Sequence, residues 1–162
     1  MEPIRYVERL NAFYQSQGFP PYKWSVYETA PLTSLKKPLN QCRVALLTSG
    51  GVSHKDVAPF NPKARNDLRV DAITQDTPAH FFVISDDYYN HQDADRDINC
   101  VFPLDRLREL ADEGVIGEVA PYHYSGFMGR IYTRTVVLTE TAPALAQRLK
   151  QEGVDVFVLV PA

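Results

Sequence analysis

Only two of the 162 residues are cysteine. Cys42 and Cys100 stand far apart, with no CxxC pair and no Cys/His spacing of the kind that holds zinc, so neither a disulfide framework nor a zinc site is written here, and two reduced, buried thiols are expected. No apolar run approaches the roughly 18 to 20 residues that a membrane span needs, and an N-terminus carrying Glu2, Arg5, Glu8 and Arg9 is not a secretory signal. A run of Lys and Arg is missing too. With 17 basic against 20 acidic side chains the formal charge is -3, which argues against nucleic acid or an anionic membrane as the main partner. Neither GxGxxG nor a P-loop occurs. These absences leave a cytoplasmic globule whose 44% apolar and 23% charged residues suit one ordinary domain with a sizeable core.

Taken in order, Ile4, Val7, Leu10, Ala12 and Tyr14 predict an amphipathic helix over Pro3 to Gln17, stopped by Gly18 and Pro20. Residues 21–42 read as an extended lead-in over the surface, with Tyr22, Trp24 and Tyr27 among prolines that include Pro31 and Pro38. Residues 43–162 then carry the sheet and its helices, with no linker long enough to split the chain. RVALLT at Arg43 to Thr48 is a buried parallel strand ending in Ser49, Gly50 and Gly51, and ligands of open α/β sheets bind beyond that end. Paired glycines let backbone amides approach a carboxylate or phosphate, although a plain tight turn fits equally well. His54 follows, either pointing into the same crevice or lying on the surface. Asp56 to Gln75 reads as a polar loop able to close over a site.

A second strand, Ala79 to Ile84, is expected beside the first and parallel to it, bringing Ser85, Asp86 and Asp87 to the same side of the sheet as the glycine turn. Asp93, Asp95, Asp97 and Asn99 alternate ahead of a helix that begins at Pro103, repeats apolar residues at Leu104, Leu107, Leu110 and Ala111, and stops at Gly114. The glycine and closing glutamate of a calcium loop are absent, so the cluster either faces a site or caps the helix. Tyr122, His123, Tyr124 and Ser125 lead into glycine-bracketed Phe127 and Met128, where the histidine is either a satisfied core residue or a general acid. Arg134 to Leu138 suggests a short strand, Thr141 to Gln151 a helix ended by Gly153, and Val154 to Val160 a last apolar strand.

Four blocks in sequence carry a resemblance: KKPL and RVALLTSGGV within Lys36 to Val52, Pro59-Phe60, DADRDINCVFPLDRLRELADEGVIG at Asp93 to Gly117, and APYHYSGFMG at Ala120 to Gly129. From about Pro31 onward the chain resembles the selenoprotein B subunits of the glycine, sarcosine, betaine and D-proline reductases. The resemblance implies a Rossmann-like, three-layer α/β fold with a mainly parallel sheet. It also implies reductive cleavage of a C–N bond in a small amino acid or betaine, other reductase subunits as partners, and a thioredoxin-type electron donor. The family's selenocysteine, or a cysteine in its place, is expected just after a strand like VFVLVPA. That leads to the expectation of a chain short at its C-terminus, with no cofactor of its own, an in-frame UGA at the stop, and the selenocysteine beyond residue 162. Cys42 and Cys100 do not match that position.

Two readings follow. In the first, Ser49, Gly50 and Gly51 hold the substrate carboxylate with His54 and Tyr124 nearby, while Asp87, Asp97 and His123 surround the amine and move protons. In the second, the same fold binds a small molecule or assembles subunits without turnover. A metal enzyme built on His54, His91, His123 and the aspartates ranks last, because no pair stands at a ligand spacing. An uncovered apolar sheet edge predicts self-association into a homo-oligomer, or a partner subunit.

Overall fold

The computed structural model describes residues 4–21, 26–30 and 32–162; the expected helix start at Pro3, the aromatic residues Tyr22 and Trp24, and Pro31 lie outside them. Two compact units result, Met1–Ser34 and Leu35–Ala162. In the first, α1 (Tyr6–Ser16) buries none of its residues. Gly18, at a φ of 85°, ends it as expected, and the N–H groups of Gln17, Gly18 and Phe19 return to the Tyr14 and Gln15 carbonyls.

The second unit runs β1 (Arg43–Thr48), β2 (Val52–His54), β3 (Val70–Thr74), β4 (Phe82–Ile84), α2 (Gln92–Arg96), α3 (Leu104–Asp112), β5 (Glu118–Val119), β6 (Tyr122–Gly126), α4 (Arg134–Val136), α5 (Ala142–Gln151) and β7 (Val156–Val160). β1 is the axis of the larger sheet. Val44 pairs with both Val119 and Val156, and Leu47 with both Tyr124 and Leu159, so β5 and β6 share one edge of β1 while β7 takes the other, all parallel. β3 joins the outer edge of β6 antiparallel. The fold is therefore α/β with a mainly parallel sheet.

Alternation along β1 divides the core. Val44 and Leu46 pack with Leu104 and Leu107 of α3 and with Phe102 ahead of it, whereas Ala45 and Leu47 pack with Leu145 and Leu149 of α5. Each fully buried Leu contributes about 1.5–3 kcal/mol to holding these layers. The predicted stripe of α3 is the one it buries. Pro103 stands one residue ahead of the helix, and the first turn is closed by Asn99, whose side-chain oxygen accepts the Asp105 N–H at 3.1 Å.

Four expectations are corrected. Ala79–Phe81 is a single 3₁₀ turn, and only Phe82–Ile84 is strand, pairing antiparallel with β2 in a separate two-stranded sheet instead of parallel with β1. The 56–75 loop contains β3, whose inward residues Asp71 and Ile73 stand opposite Ser125 and His123. Arg134–Leu138 is helical, running through a π turn (Val137–Thr141) into α5; Thr133, Thr135, Val136 and Val137 favour strand by their branching, and the helix prevails in the folded unit. Cys42 is buried, but Cys100 closes an exposed turn and is itself exposed.

Candidate active site

The candidate site lies where β1, β6 and β7 reach their carboxyl ends. Thr48, Ser125 and Val160 are register partners there, with Asp71 completing the row across β3. Thr48 is fully buried and its hydroxyl oxygen accepts the Gly50 N–H at 3.0 Å, bending the chain out of β1. The Ser49 N–H goes to the Val160 carbonyl, and the Ser49 hydroxyl oxygen accepts the Ala162 N–H, both at 3.2 Å. Of the three turn amides, only that of Gly51 has no partner among the described residues. Gly51 needs to be glycine: its φ is 68°, and a Cβ would lie 2.7 Å from the Ser85 carbonyl oxygen.

A second loop, 85–89, is clamped onto this turn. The Ser85 N–H donates to the Gly51 carbonyl and the Tyr89 hydroxyl to the Gly50 carbonyl, each at 2.9 Å. Burial, then the charges of Asp86 and Asp95, push the Tyr89 hydroxyl up to about 12, so it stays a donor at any physiological pH. A third loop, 127–133, supplies Met128, within 3.1 Å of where a Gly51 Cβ would stand, and Arg130, whose guanidinium donates to the Tyr88 hydroxyl at 3.1 Å. Phe127 and Arg130 hold positive φ of 53° and 63° without being glycine. That strain is offset by Asn66, which donates its N–H to the Arg130 carbonyl and accepts the Tyr132 and Thr133 amides on Oδ1. Beside the turn opens a groove of 590 Å³, apolar except for Ser49 and lined by Leu47, Phe127, Leu145, Leu159 and Pro161.

The expected site residues separate into those at this crevice and those elsewhere. Ser49, Gly50 and Gly51 form its floor, and exposed Asp87 belongs to the clamped loop, so the expected convergence exists by way of hydrogen bonds from the 85–89 loop and not through parallel strand pairing. His54 is carried away on β2, stacked on Phe81 at 5.2 Å, with Nδ1 accepting the Asp56 N–H at 3.2 Å. Asp97 caps the turn after it, accepting the Asn99 N–H and side-chain amide, which lower its pKa; it lines a separate 680 Å³ cleft with Lys55, His80 and Asp95. His123 and Tyr124 are consecutive on β6 and point to opposite faces. His123 is completely buried edge-on to Phe102 at 6.4 Å, and its Nδ1 accepts the Leu46 N–H at 3.2 Å. Burial and then the Arg108 charge lower it to about 4, against the Ala120 carbonyl, so the ring is neutral at pH 7. Tyr124 points toward α5 and donates to Glu152 Oε2 at 2.7 Å; burial and that carboxylate raise its pKa.

Residue typing missed Tyr89 and Arg130, and only the paired tyrosines after Asp87 and the glycine ahead of Arg130 hinted at them. Three buried polar atoms, Ser53 Oγ, Ser125 Oγ and His123 Nε2, lack partners among the described residues. Among the described residues no group of three or more His, Cys, Asp or Glu is placed to hold a metal, and no helix is long and apolar enough to cross a membrane.

A turn of this kind beyond a parallel strand is shared by many α/β folds, and sequence comparison narrows it. The profile of the glycine/sarcosine/betaine reductase selenoprotein B family matches residues 20–162. The chain belongs to that family. D-proline reductase subunit gamma of Acetoanaerobium sticklandii is 39% identical over 127 residues, covering 78% of this chain and 51% of that protein. Glycine reductase complex component B subunit gamma of Carboxydothermus hydrogenoformans is 30% identical over 82% of this chain and 31% of its own length. Sarcosine reductase complex component B subunit beta of Peptoclostridium acidaminophilum is 32% identical over 85% and 32%. The chain thus spans between about a third and a half of these relatives. No solved structure matches.

Proposed function

We propose that these residues form the substrate-holding part of a selenoprotein B type reductase component acting on a small amino acid or betaine. The observation that carries this reading is the turn beyond β1: the Ser49 hydroxyl and the Gly51 amide, which has no partner among the described residues, stand at the carboxyl ends of parallel strands, and Arg130 reaches the 85–89 loop through Tyr88. Those three donors suit a carboxylate. Asp87 supplies a counter-charge for an amine. His123, neutral and enclosed, supports the floor; it is not assigned a proton transfer with solvent.

The redox step is assigned elsewhere. Selenocysteine is not among residues 1–162, Cys42 Sγ is spent on the Pro38 carbonyl at 3.3 Å, and Cys100 sits in the turn ahead of α3. We further read the sheet and its helices as Rossmann-like, the setting as cytoplasmic, and the partners as other reductase subunits, a second copy of the chain and a thioredoxin-type donor. Titrating ¹⁵N-labelled protein with D-proline, sarcosine and glycine tests the binding half: the Gly51 amide should shift with each, and not with pyrrolidine, which lacks the carboxylate. Saturable binding that leaves Gly51 unmoved would sink the assignment. With a dithiol, residues 1–162 alone should give no appreciable reductive turnover, and turnover would return the redox step to this chain. A silent binding or assembly module is the second reading; it predicts the same shifts but no gain in turnover when the remaining reductase subunits are added.

A further inference from the structure

Outside the floor just described, one histidine is arranged as if to act on something. His91 Nδ1 lies 2.9 Å from Asp95 Oδ2, and its ring packs edge to face on Tyr89 at 5.6 Å between centroids. Tyr89 in turn donates to the Gly50 carbonyl. With Nδ1 turned to the carboxylate, Nε2 is the ring nitrogen left over, and it has no partner among the described residues. The ring is about a third exposed, so a small ligand reaches it. An ordinary surface pair four residues apart would show the same Nδ1 contact; it would not need the ring to lean on the tyrosine that closes the glycine turn.

We infer that His91 is a specificity residue: Nε2 accepts a hydrogen bond from the ammonium N–H of a ligand whose carboxylate rests on Gly51, and Asp95 positions the ring by fixing its tautomer. This rests on the crevice being the amino-acid site proposed above. It divides that substrate class by chemistry. Glycine, sarcosine and proline carry an N–H to donate, whereas betaine, a quaternary ammonium, carries none.

The experiment uses the whole chain with ¹⁵N-labelled histidine at about pH 8, above the ordinary histidine range. Long-range ¹H–¹⁵N correlations should show His91 protonated on Nδ1, and Asp95→Leu should lose that preference while Asp95→Asn, still an acceptor, keeps it. D-proline should move the Nε2 signal together with the Gly51 amide; betaine should move Gly51 alone. His91→Phe should weaken D-proline roughly tenfold and leave betaine within about twofold, and His91→Gln, whose amide oxygen accepts, should recover most of the loss. A Gly51 shift with a silent His91, or equal losses for D-proline and betaine, overturns the role of His91 and leaves the crevice standing. Silence at both overturns the two together.

Discussion

Replacing Gly51 by alanine tests whether the crevice is built as described. An L residue at a φ of 68° costs about 1–2 kcal/mol in backbone strain. The new Cβ also meets backbone, with the Ser85 carbonyl oxygen at 2.7 Å and its carbon at 3.0 Å, so β4 and the loop after it must move away from β2. Overpacking of that kind costs about 1–3 kcal/mol, and the Ser85 to Gly51 hydrogen bond goes with it. The expected loss is about 3–5 kcal/mol, roughly 10 °C in Tm for a chain of this size. Gly114→Ala is the control: its φ is 70° and nothing lies within 4 Å of a Cβ, so it pays the strain alone, about 1–2 kcal/mol. Urea unfolding followed by far-ultraviolet circular dichroism measures both. If the two variants agree within about 0.5 kcal/mol, the 85–89 loop is not seated on the turn as described, and the clamp falls.

His123 is lowered to about 4 from 6.5, so the unfolded chain binds the extra proton and stability should climb as pH rises from 4 to 6.5, by up to about 3 kcal/mol, then level off. His123→Leu should flatten that rise in urea titrations across the window, and an unchanged slope would mean that the ring is not enclosed. Tyr124→Phe removes the hydroxyl from Glu152, which keeps Arg148 at 2.9 Å, and should cost about 1–2 kcal/mol by the same assay. Arg69 donates to the Ala58 and Pro59 carbonyls, pairs with Asp71 and covers the ring of Phe60 at 4.4 Å. Arg69→Met should therefore speed trypsin cleavage after Lys63 and Arg65 several-fold, with the global unfolding midpoint moving far less.

What could be read in advance was whatever is decided locally. α3 was visible because four apolar residues and a terminal glycine determine its face and end within one stretch, and β1 because a short strand buried on both sides must be apolar through its middle, Val44 to Leu47. The pairing of β4 was not visible, since its partner β2 is some thirty residues away and only three residues long, too short for either to display a period. His123 illustrates the limit for the site. Residue type admitted both a core histidine and a proton donor, and the burial of the ring against Phe102 is a consequence of register on β6, which residue type does not carry. Tyr89 is the opposite case: the paired tyrosines only hint at it, because its role comes from one hydrogen bond to a carbonyl 39 positions earlier. Both facts have one cause. The strands that hold the crevice are specified by burial, which leaves a pattern in the sequence, whereas the loops that give it chemistry are specified by single polar contacts, which leave none. A residue such as His91, two positions after Tyr89 and four before Asp95, gains its meaning only when the fold brings that tyrosine onto the glycine turn.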